Sequence, residues 1–253
     1  MTEAIALHDI LADGLPDRAA VLADLDGCLI SGDTVLADVP ELFARLRHRL
    51  WIVSNNSCDT AISLSARLAR LGLDLAPGRI FLAGERTLRR IAAERPGARI
   101  ALYAAAPLQA LAKELGLHLD RARPDIAMLA RDPDFTFSDL SELTAHLHRG
   151  VQLWLSNLDA SHPGPDGTPQ PETGALFAAV AAIVPGAAYR QLGKPDPYLL
   201  DLALAAAGAR PDQAIFLGDT EATDGEAARA AGMPFVLLAR PTGAARPAMA
   251  GVA

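Results

Sequence analysis

The sequence predicts an α/β protein in which helices cover parallel β-sheets, and three observations lead to this fold class. Short apolar runs alternate with helical patterns along the chain, and such alternation is typical of βαβ units. The chain has 253 residues, of which 51% are hydrophobic, so it can bury one large core or two modest ones. Finally, clusters of polar residues directly follow several of the predicted strands.

The first elements repeat a strand–helix order. The run AAVLADL predicts a strand, and PELFARLRHR predicts a helix with Pro40 in its first turn. The run LWIVS, residues 50–54, predicts the next strand. It is followed by the amphipathic pattern TAISLSARLARLGL, which ends near Gly72, a residue typical of helix C-termini.

The middle of the chain continues the alternation with its own elements. RIALYA, DIAMLA and VQLWLS predict strands, and PLQALAKELGL and FSDLSELTAHLHRG predict helices. Residues 161–174 are dense in Pro and Gly and predict a loop, and the following ALFAAVAAIV predicts a buried helix. After Gln191 the elements PYLLDLALAAAG, AIFLGD, EATDGEAARAAG and FVLL complete the fold.

We expect the middle of the chain to form a second domain inserted into the first. The expected core comprises residues 1–83 and 186–253, and the expected insertion comprises residues 84–185. The chain is long enough for both parts to form an α/β unit with its own sheet.

Charge and composition exclude several classes of protein. A net charge of −7 argues against a surface for nucleic acid polymers, although a local cation can still bind an anionic small molecule. The chain has two cysteines, Cys28 and Cys58, and so few cysteines argue against a disulfide framework and against a four-ligand zinc site. The first residues resemble no secretory signal and no apolar run is long enough to span a membrane, so we expect a cytoplasmic protein without a membrane partner.

Carboxylates follow two of the predicted strands. Asp24 and Asp26 lie at the end of the first predicted strand, and Asp219 and Asp224 follow AIFLG near the end of the chain. Ligands of parallel sheets bind at the carboxyl ends of the strands, where such side chains can act as nucleophiles or metal ligands. Taken singly, an Asp-Gly turn and acids at a helix N-terminus are alternative explanations.

Two further clusters supply groups suited to an anion. Ser54 and Asn55 lie at the end of the LWIVS strand, where a hydroxyl and backbone N–H groups can bind an anion or cap a helix. Lys194 lies in GKPDP and is either a phosphate ligand or a solvated surface lysine. Taken together, the four clusters predict one site in which Asp24, the Asp26 backbone and Asp219 bind Mg²⁺, an ion that prefers oxygen ligands.

The order and spacing of these clusters resemble the haloacid dehalogenase (HAD) superfamily of phosphohydrolases. DLDGCL, SNNS, GKPDP and GDTEATD match its four motifs, and NLDASHPGPDG is similar to its NagD, or 4-nitrophenylphosphatase-like, subclass IIA. The resemblance implies a Rossmann-like parallel-sheet core with a large inserted α/β cap domain of the C2 type.

The resemblance also implies a mechanism and a set of site residues. Asp24 would attack phosphorus to form an aspartyl-phosphate, and Asp26 would act as general acid and then base. Ser54, Asn55 and Lys194 would bind the phosphoryl group. Mg²⁺ would be the cofactor, and its implied ligand set is Asp24, Asp26, Asp219 and Asp224, the last acting through a bound water or an outer contact.

The cap is expected to select the substrate. The resemblance places Asn157, Asp159 and His162 on the substrate side, although His162 in a polar loop is equally explained as a surface histidine. The chain departs from the family at Cys28, where Thr is usual, and in the segment Pro171-Glu172-Thr173-Gly174, which is less Gly-rich.

The expected function is Mg²⁺-dependent hydrolysis of a small phosphorylated metabolite, such as a sugar phosphate, phosphoglycolate or a nucleotide. A catalytically idle HAD-fold binding protein and a metal-free haloacid dehalogenase are the alternatives. The presence of Asp26, Asp219 and Asp224 argues against the dehalogenase. Some members of the subclass dimerise through the cap, so a homodimer is an open alternative to a monomer.

Overall fold

The computed structural model describes residues 4–14, 17–164 and 168–239. Its strands are β1 (Ala20–Ala23), β2 (Ile30–Ser31), β3 (Thr34–Val35), β4 (Leu50–Ser54), β5 (Ile80–Leu82), β6 (Arg99–Tyr103), β7 (His118–Leu119), β8 (Ile126–Leu129), β9 (Gln152–Leu155), β10 (Ser161–Pro163), β11 (Pro169–Pro171), β12 (Tyr189–Gln191), β13 (Ala214–Gly218) and β14 (Phe235–Leu237).

The α-helices lie between these strands. They are α1 (Leu7–Asp13), α2 (Val39–Leu46), α3 (Ala61–Arg70), α4 (Ala83–Glu94), α5 (Ala106–Glu114), α6 (Phe137–His148), α7 (Thr173–Ile183), α8 (Tyr198–Ala207) and α9 (Glu226–Ala230). Short 3₁₀ turns occupy Pro77–Arg79 and Pro211–Gln213, and a π-helical turn, Glu221–Gly225, leads into α9.

Two five-stranded sheets organise the chain. The first has the order β14-β13-β1-β4-β5, the second has the order β12-β9-β8-β6-β7, and all pairs within both sheets are parallel. Side chains of β1 alternate between two apolar clusters, with Val21 on one face and Leu22 on the other. Both faces of the sheet are therefore buried under helices, which confirms the predicted α/β class.

The second sheet and its helices form an insertion into the first. Helix α4 already packs on the second sheet through Leu88 and Ile91, and β12 pairs with β9 in the same sheet. The expected return to the core at residue 186 therefore falls before β12, whose short strand the sequence interpretation missed. We propose that the two crossings lie near residues 83 and 192.

Two expectations for residues 161–183 need correction. The segment 161–174, predicted as a loop, contains an antiparallel hairpin of β10 and β11, and residues 165–167 between these strands lie outside the described part of the chain. Helix α7, predicted to be buried, has only Thr173 and Val180 buried, and Ile183 is 55% exposed. One stripe of α7 packs on the second sheet, while its exposed face consists largely of alanines, so the sequence is apolar all round.

No helix within the described residues is both long enough and apolar enough to cross a membrane.

Candidate active site

The predicted strand-end residues converge because their strands are neighbours. In the first sheet β1 lies between β13 and β4, so the residues that follow these three strands meet at one edge. The backbone N–H of Asp24 donates to Leu217 O of β13 at 2.8 Å, and this hydrogen bond fixes the position of Asp24 at the end of β1. The site therefore lies at the carboxyl edge of the sheet, as expected for a parallel α/β fold.

Three carboxylates form the centre of this site. Oxygens of Asp24, Asp219 and Asp224 lie within 4.8 Å of one another. Asp24 and Asp224 are buried, and Asp219 is half-buried. A side chain at Gly218 would place its Cβ 2.5 Å from the Asp224 side chain, so the Gly-Asp pair at the end of β13 allows Asp224 to approach.

Lys194 is the cation of the centre. Its Nζ donates to Asp24 Oδ1 at 2.5 Å and to Asp224 Oδ1 at 2.7 Å, and the residue is only 2% exposed. Burial disfavours the ammonium, but the carboxylates of Asp224 and Asp24 outweigh burial and raise the pKa of Lys194 above its usual value. Lys194 is therefore charged at neutral pH and is not a solvated surface lysine.

Asp224 also fixes the loop after β13. Its Oδ2 accepts hydrogen bonds from the backbone N–H groups of Asp219 and Thr220, both at 3.1 Å. With Oδ1 on Lys194, each oxygen of Asp224 already has a partner within the protein. This arrangement favours a supporting role for Asp224 over direct metal binding.

The charge balance of the centre fits a divalent cation. Three carboxylates and one ammonium sum to −2 when all are ionised (−3 + 1). Burial, and next to it Asp224 and Asp219, raises the pKa of Asp24, while Lys194 opposes that rise. An oxygen-rich donor set of this kind suits Mg²⁺, which would offset the remaining negative charge.

Asp26 points to a different environment from Asp24. Its carboxylate is not part of the three-carboxylate cluster, and its electrostatic neighbours include His162, Glu172 and Arg67. Burial is the main cause that raises the pKa of Asp26 to about 6, and His162 opposes it. Gly27, with a φ of 85°, allows the chain to turn directly after Asp26. The charged neighbours of Asp26 therefore include His162 and Glu172 of the second domain, unlike those of Asp24.

Ser54 and Asn55 lie at the end of β4, next to Asp24's strand. Ser54 is 2% exposed, and its Oγ accepts from Asn56 N at 3.0 Å. The Asn55 side chain accepts from Lys194 N at 2.7 Å and donates to Lys194 O at 3.1 Å. The structure thus brings both residues to the site, and it adds to Asn55 a role in holding Lys194 that the sequence did not indicate.

The three residues predicted on the substrate side occupy different places. Asn157 is fully buried, and its amide donates to Asn55 O at 2.8 Å, so it joins the two domains instead of facing a substrate. Asp159 accepts from Asn55 Nδ2 at 3.0 Å. His162 lies on β10 with its Nδ1 2.8 Å from Glu172 Oε1, and its side chain is 21% exposed.

Sequence reasoning missed the charged residues around Asp26. Arg67 on α3 donates to Asp33 Oδ1 at 2.7 Å, and Glu172, directly before α7, contacts His162. Arg131, after β8, donates to Cys58 Sγ at 3.3 Å and to Pro171 O at 3.2 Å. Arg67 carries no signal beyond its helical pattern, and Arg131 and Glu172 become neighbours only through the second domain.

Cys28 is a buried thiol whose hydrogen bond goes away from Asp26. Its Sγ lies 3.8 Å from Leu217 O, and burial raises the pKa of Cys28 well above its usual value. A protonated buried thiol is a poor nucleophile, so Cys28 has the environment of an unreactive core residue.

Family models match both ends of the core. Residues 21–118 match a model described as haloacid dehalogenase-like hydrolase, and residues 191–251 match a HAD-hydrolase-like model. The chain is 32% identical over 242 residues to chronophin of Mus musculus, with 90% of this chain and 82% of that protein covered. The chain belongs to the haloacid dehalogenase-like hydrolases. It is also 27% identical to a dihydroxyacetone phosphatase of Corynebacterium glutamicum, over 86% of this chain and 79% of that protein.

Solved structures of HAD-like phosphatases share the two-domain fold. A 4-nitrophenylphosphatase of Thermotoga maritima superposes with a TM-score of 0.81 at 23% identity, covering 88% of this chain and 87% of that one. A glycerol phosphate phosphatase of Mycobacterium tuberculosis, solved in complex with magnesium, has a TM-score of 0.78 at 27% identity, covering 87% and 68%. The solved structures confirm the predicted core with an inserted cap. Together with the family models and the curated relatives, they identify the chain as a HAD-superfamily phosphatase of the NagD-like subclass.

Proposed function

We propose that this phosphatase hydrolyses small phosphomonoesters through a covalent phosphate on Asp24, with Mg²⁺ as cofactor. The observation that carries the proposal is the contact of buried Lys194 with Asp24 at 2.5 Å, inside a cluster of three carboxylates. The contact places the nucleophile beside a fixed positive charge that can bind a phosphoryl oxygen.

The residues of the chain support a two-step reaction. In the first step an Asp24 oxygen attacks phosphorus, the bond from phosphorus to the leaving oxygen breaks, and Asp26 gives that oxygen its proton. In the second step water attacks phosphorus, Asp26 takes the proton of the water, and the bond to Asp24 breaks to release phosphate. Ser54, the Asn55 backbone and Lys194 would bind the phosphoryl oxygens, where the transition-state charge lies.

Asp24, Asp219 and the backbone of Asp26 would hold Mg²⁺, with Asp224 in support. The bound ion would screen the negative charges of the phosphoryl group and of Asp24 from each other. With all of these groups ionised, the net charge of the cluster is −2, which one divalent cation would neutralise better than one further single positive charge.

A small substrate is favoured by the position of the cap hairpin. Gly164, after β10, accepts a hydrogen bond from Ser31 Oγ of the core at 3.1 Å, and His162 of the same hairpin is an electrostatic neighbour of Asp26. A cap hairpin beside the proposed general acid would restrict the approach of a bulky phosphoprotein. Dihydroxyacetone and glycerol appear in the names of related phosphatases, which makes short polyol and sugar phosphates the first candidates.

The decisive test is phosphate release from a panel of small phosphomonoesters, run with Mg²⁺ and with EDTA. Wild type is compared with Asp24→Asn and with Asp74→Asn, a control at an exposed aspartate that follows the C-terminus of α3. We expect turnover of at least one ester, its loss in EDTA and in Asp24→Asn, and full activity of Asp74→Asn. Equal rates for wild type and Asp24→Asn would favour the idle HAD-fold binding protein.

We also propose a cytoplasmic protein, in keeping with the two free thiols of Cys28 and Cys58. A homodimer through the cap stays a proposal, for which light scattering is the test. Phe137 of α6, Ile183 of α7 and Tyr189 of β12 are among the exposed apolar side chains of the cap that such an interface could cover.

A further inference from the structure

The loop that leaves cap strand β9 is joined to the catalytic lysine through one amide side chain. Asn55 Oδ1 accepts from Lys194 N at 2.7 Å, and Asn55 Nδ2 donates to Lys194 O at 3.1 Å. The same Nδ2 donates to Asp159 Oδ2 at 3.0 Å. Asn55 of the core thus forms hydrogen bonds with both backbone groups of Lys194, and its amide nitrogen also donates to a carboxylate of the cap.

The orientation of the Asn55 amide is set by these partners. Lys194 N can only donate, and both Lys194 O and the Asp159 carboxylate can only accept. A flipped amide would oppose donor to donor at Lys194 N and acceptor to acceptor at Asp159. The Asp159 carboxylate therefore strengthens the one orientation that fits Lys194.

Neighbouring residues fix the positions of Asn55 and Asp159 relative to each other. Asn157 Nδ2 donates to Asn55 O at 2.8 Å, and Asn157 Oδ1 accepts from Asp159 N at 3.0 Å, so one buried side chain aligns both partners. At Gly193 a Cβ would lie 2.6 Å from Ser156 O and 2.8 Å from Asn55 Oδ1. The segment before Lys194 is therefore packed directly against the end of cap strand β9.

We propose that Asp159 is a positioning residue that holds Lys194 in place through Asn55, so that phosphate binding depends on a seated cap. The proposal rests on the phosphatase function proposed above, in which Lys194 contacts the phosphoryl group. It assigns to Asp159 no contact with the organic part of the substrate. Asp159 acts on Lys194 through the hydrogen bond that it accepts from Asn55 Nδ2, and this action does not require the negative charge of Asp159.

Two substitutions separate these properties of Asp159. Asp159→Ala removes the acceptor for Asn55, whereas Asp159→Asn keeps an acceptor oxygen and removes the charge. The matched control is Asp132→Ala, because Asp132 follows cap strand β8 as Asp159 follows β9, but its carboxylate accepts from Asp134 N of its own loop at 3.1 Å. The measurements are kcat/KM for p-nitrophenyl phosphate and an alkyl phosphate, and the inhibition constant of inorganic phosphate.

Inorganic phosphate is the discriminating probe, because it has no organic group. A displaced Lys194 should raise the inhibition constant of phosphate in Asp159→Ala about tenfold and lower kcat/KM for both esters by a similar factor, since small displacements of catalytic groups are costly. We expect Asp159→Asn to restore both quantities to within about threefold of wild type, and Asp132→Ala to match wild type.

An unchanged inhibition constant in Asp159→Ala would overturn the proposal, as would an Asp159→Asn variant as defective as Asp159→Ala. Selective loss of the alkyl ester would indicate direct substrate contact. If circular dichroism shows that Asp159→Ala is unfolded, Asp159→Ser, whose hydroxyl is too short to reach Asn55, takes its place. Wild-type protein that releases no phosphate from any ester would refute the phosphatase function itself, which is a different result.

Discussion

Replacement of Lys194 by Met tests the charge balance of the buried centre. Lys194 is 2% exposed and contacts two buried carboxylates, so the variant would remove the cation that pairs with a cluster of three carboxylates. Removing one partner of a buried ion pair costs about 3–5 kcal/mol. For a chain of this size 1 kcal/mol corresponds to roughly 2–4 °C, so we expect Lys194→Met to lower the melting temperature by about 10 °C in EDTA.

The control for this variant is the other lysine of the chain. Lys113 lies exposed on α5, so Lys113→Met should change the free energy of unfolding by less than about 0.5 kcal/mol. Thermal melting by circular dichroism at neutral pH, with EDTA and with Mg²⁺, is the assay.

Two further conditions sharpen the test. We expect Mg²⁺ to narrow the gap between wild type and Lys194→Met, because the ion replaces the lost positive charge. We also expect a smaller gap at mildly acidic pH, where the unbalanced carboxylates bind protons. A Lys194→Met variant that melts in EDTA within about 2 °C of wild type would refute the reasoning, since at 2–4 °C per kcal/mol the lost pair would then be worth under about 1 kcal/mol.

Three other predictions concern activity. Burial raises the pKa of Asp26 to about 6, and the protonated acid is the active form in the first step, so kcat/KM for an alkyl phosphate should fall as pH rises through about 6. p-Nitrophenyl phosphate, whose leaving group departs unprotonated, should show a weaker fall, and equal profiles for the two esters would argue against Asp26 as the acid. Cys28→Thr should change kcat/KM by less than about tenfold, because the thiol contacts Leu217 O and no reacting group; steady-state rates far outside that range would mean that position 28 supports Asp26. His162→Ala should raise KM for the best alkyl ester more than it lowers kcat, because His162 lies on the cap hairpin and is an electrostatic neighbour of Asp26. Unchanged values of KM and kcat would show that His162 is not part of the site.

The core of the site could be predicted because it depends on local patterns. Apolar runs of four or five residues ended close to where β1, β4 and β13 end, and parallel pairing then brings Asp24, Asn55 and Asp219 together. The position of Lys194 depended on the motif that surrounds it. Its contacts with Asp24 and Asp224 agree with a common site for these clusters.

The junction between the domains could not be predicted in the same way. The roles of Asn55, Asn157 and Asp159 arise from residues about 100 positions apart that meet only when the cap is seated on the core. Hydrophobic periodicity carries no information about such contacts, and Ser or Asn after a strand is equally explained as a helix cap.

The surface of the cap was also misjudged for physical reasons. The Pro and Gly content of residues 161–174 predicted a loop, yet a short antiparallel hairpin tolerates Pro163 and Pro169 at its edges. The alanines of α7 made a surface helix appear buried, because an outer face of small apolar residues has the same pattern as a core helix.

The most direct test of the covalent mechanism uses Asp26→Asn with p-nitrophenyl phosphate and Mg²⁺. The first step needs no acid for this leaving group, while the second step lacks its base, so phosphate should remain on the enzyme. We predict a rapid burst of about one p-nitrophenolate per chain, followed by slow turnover, with the trapped phosphate in the peptide that contains Asp24. A linear time course without a burst, or phosphate trapped on another residue, would contradict nucleophilic catalysis by Asp24.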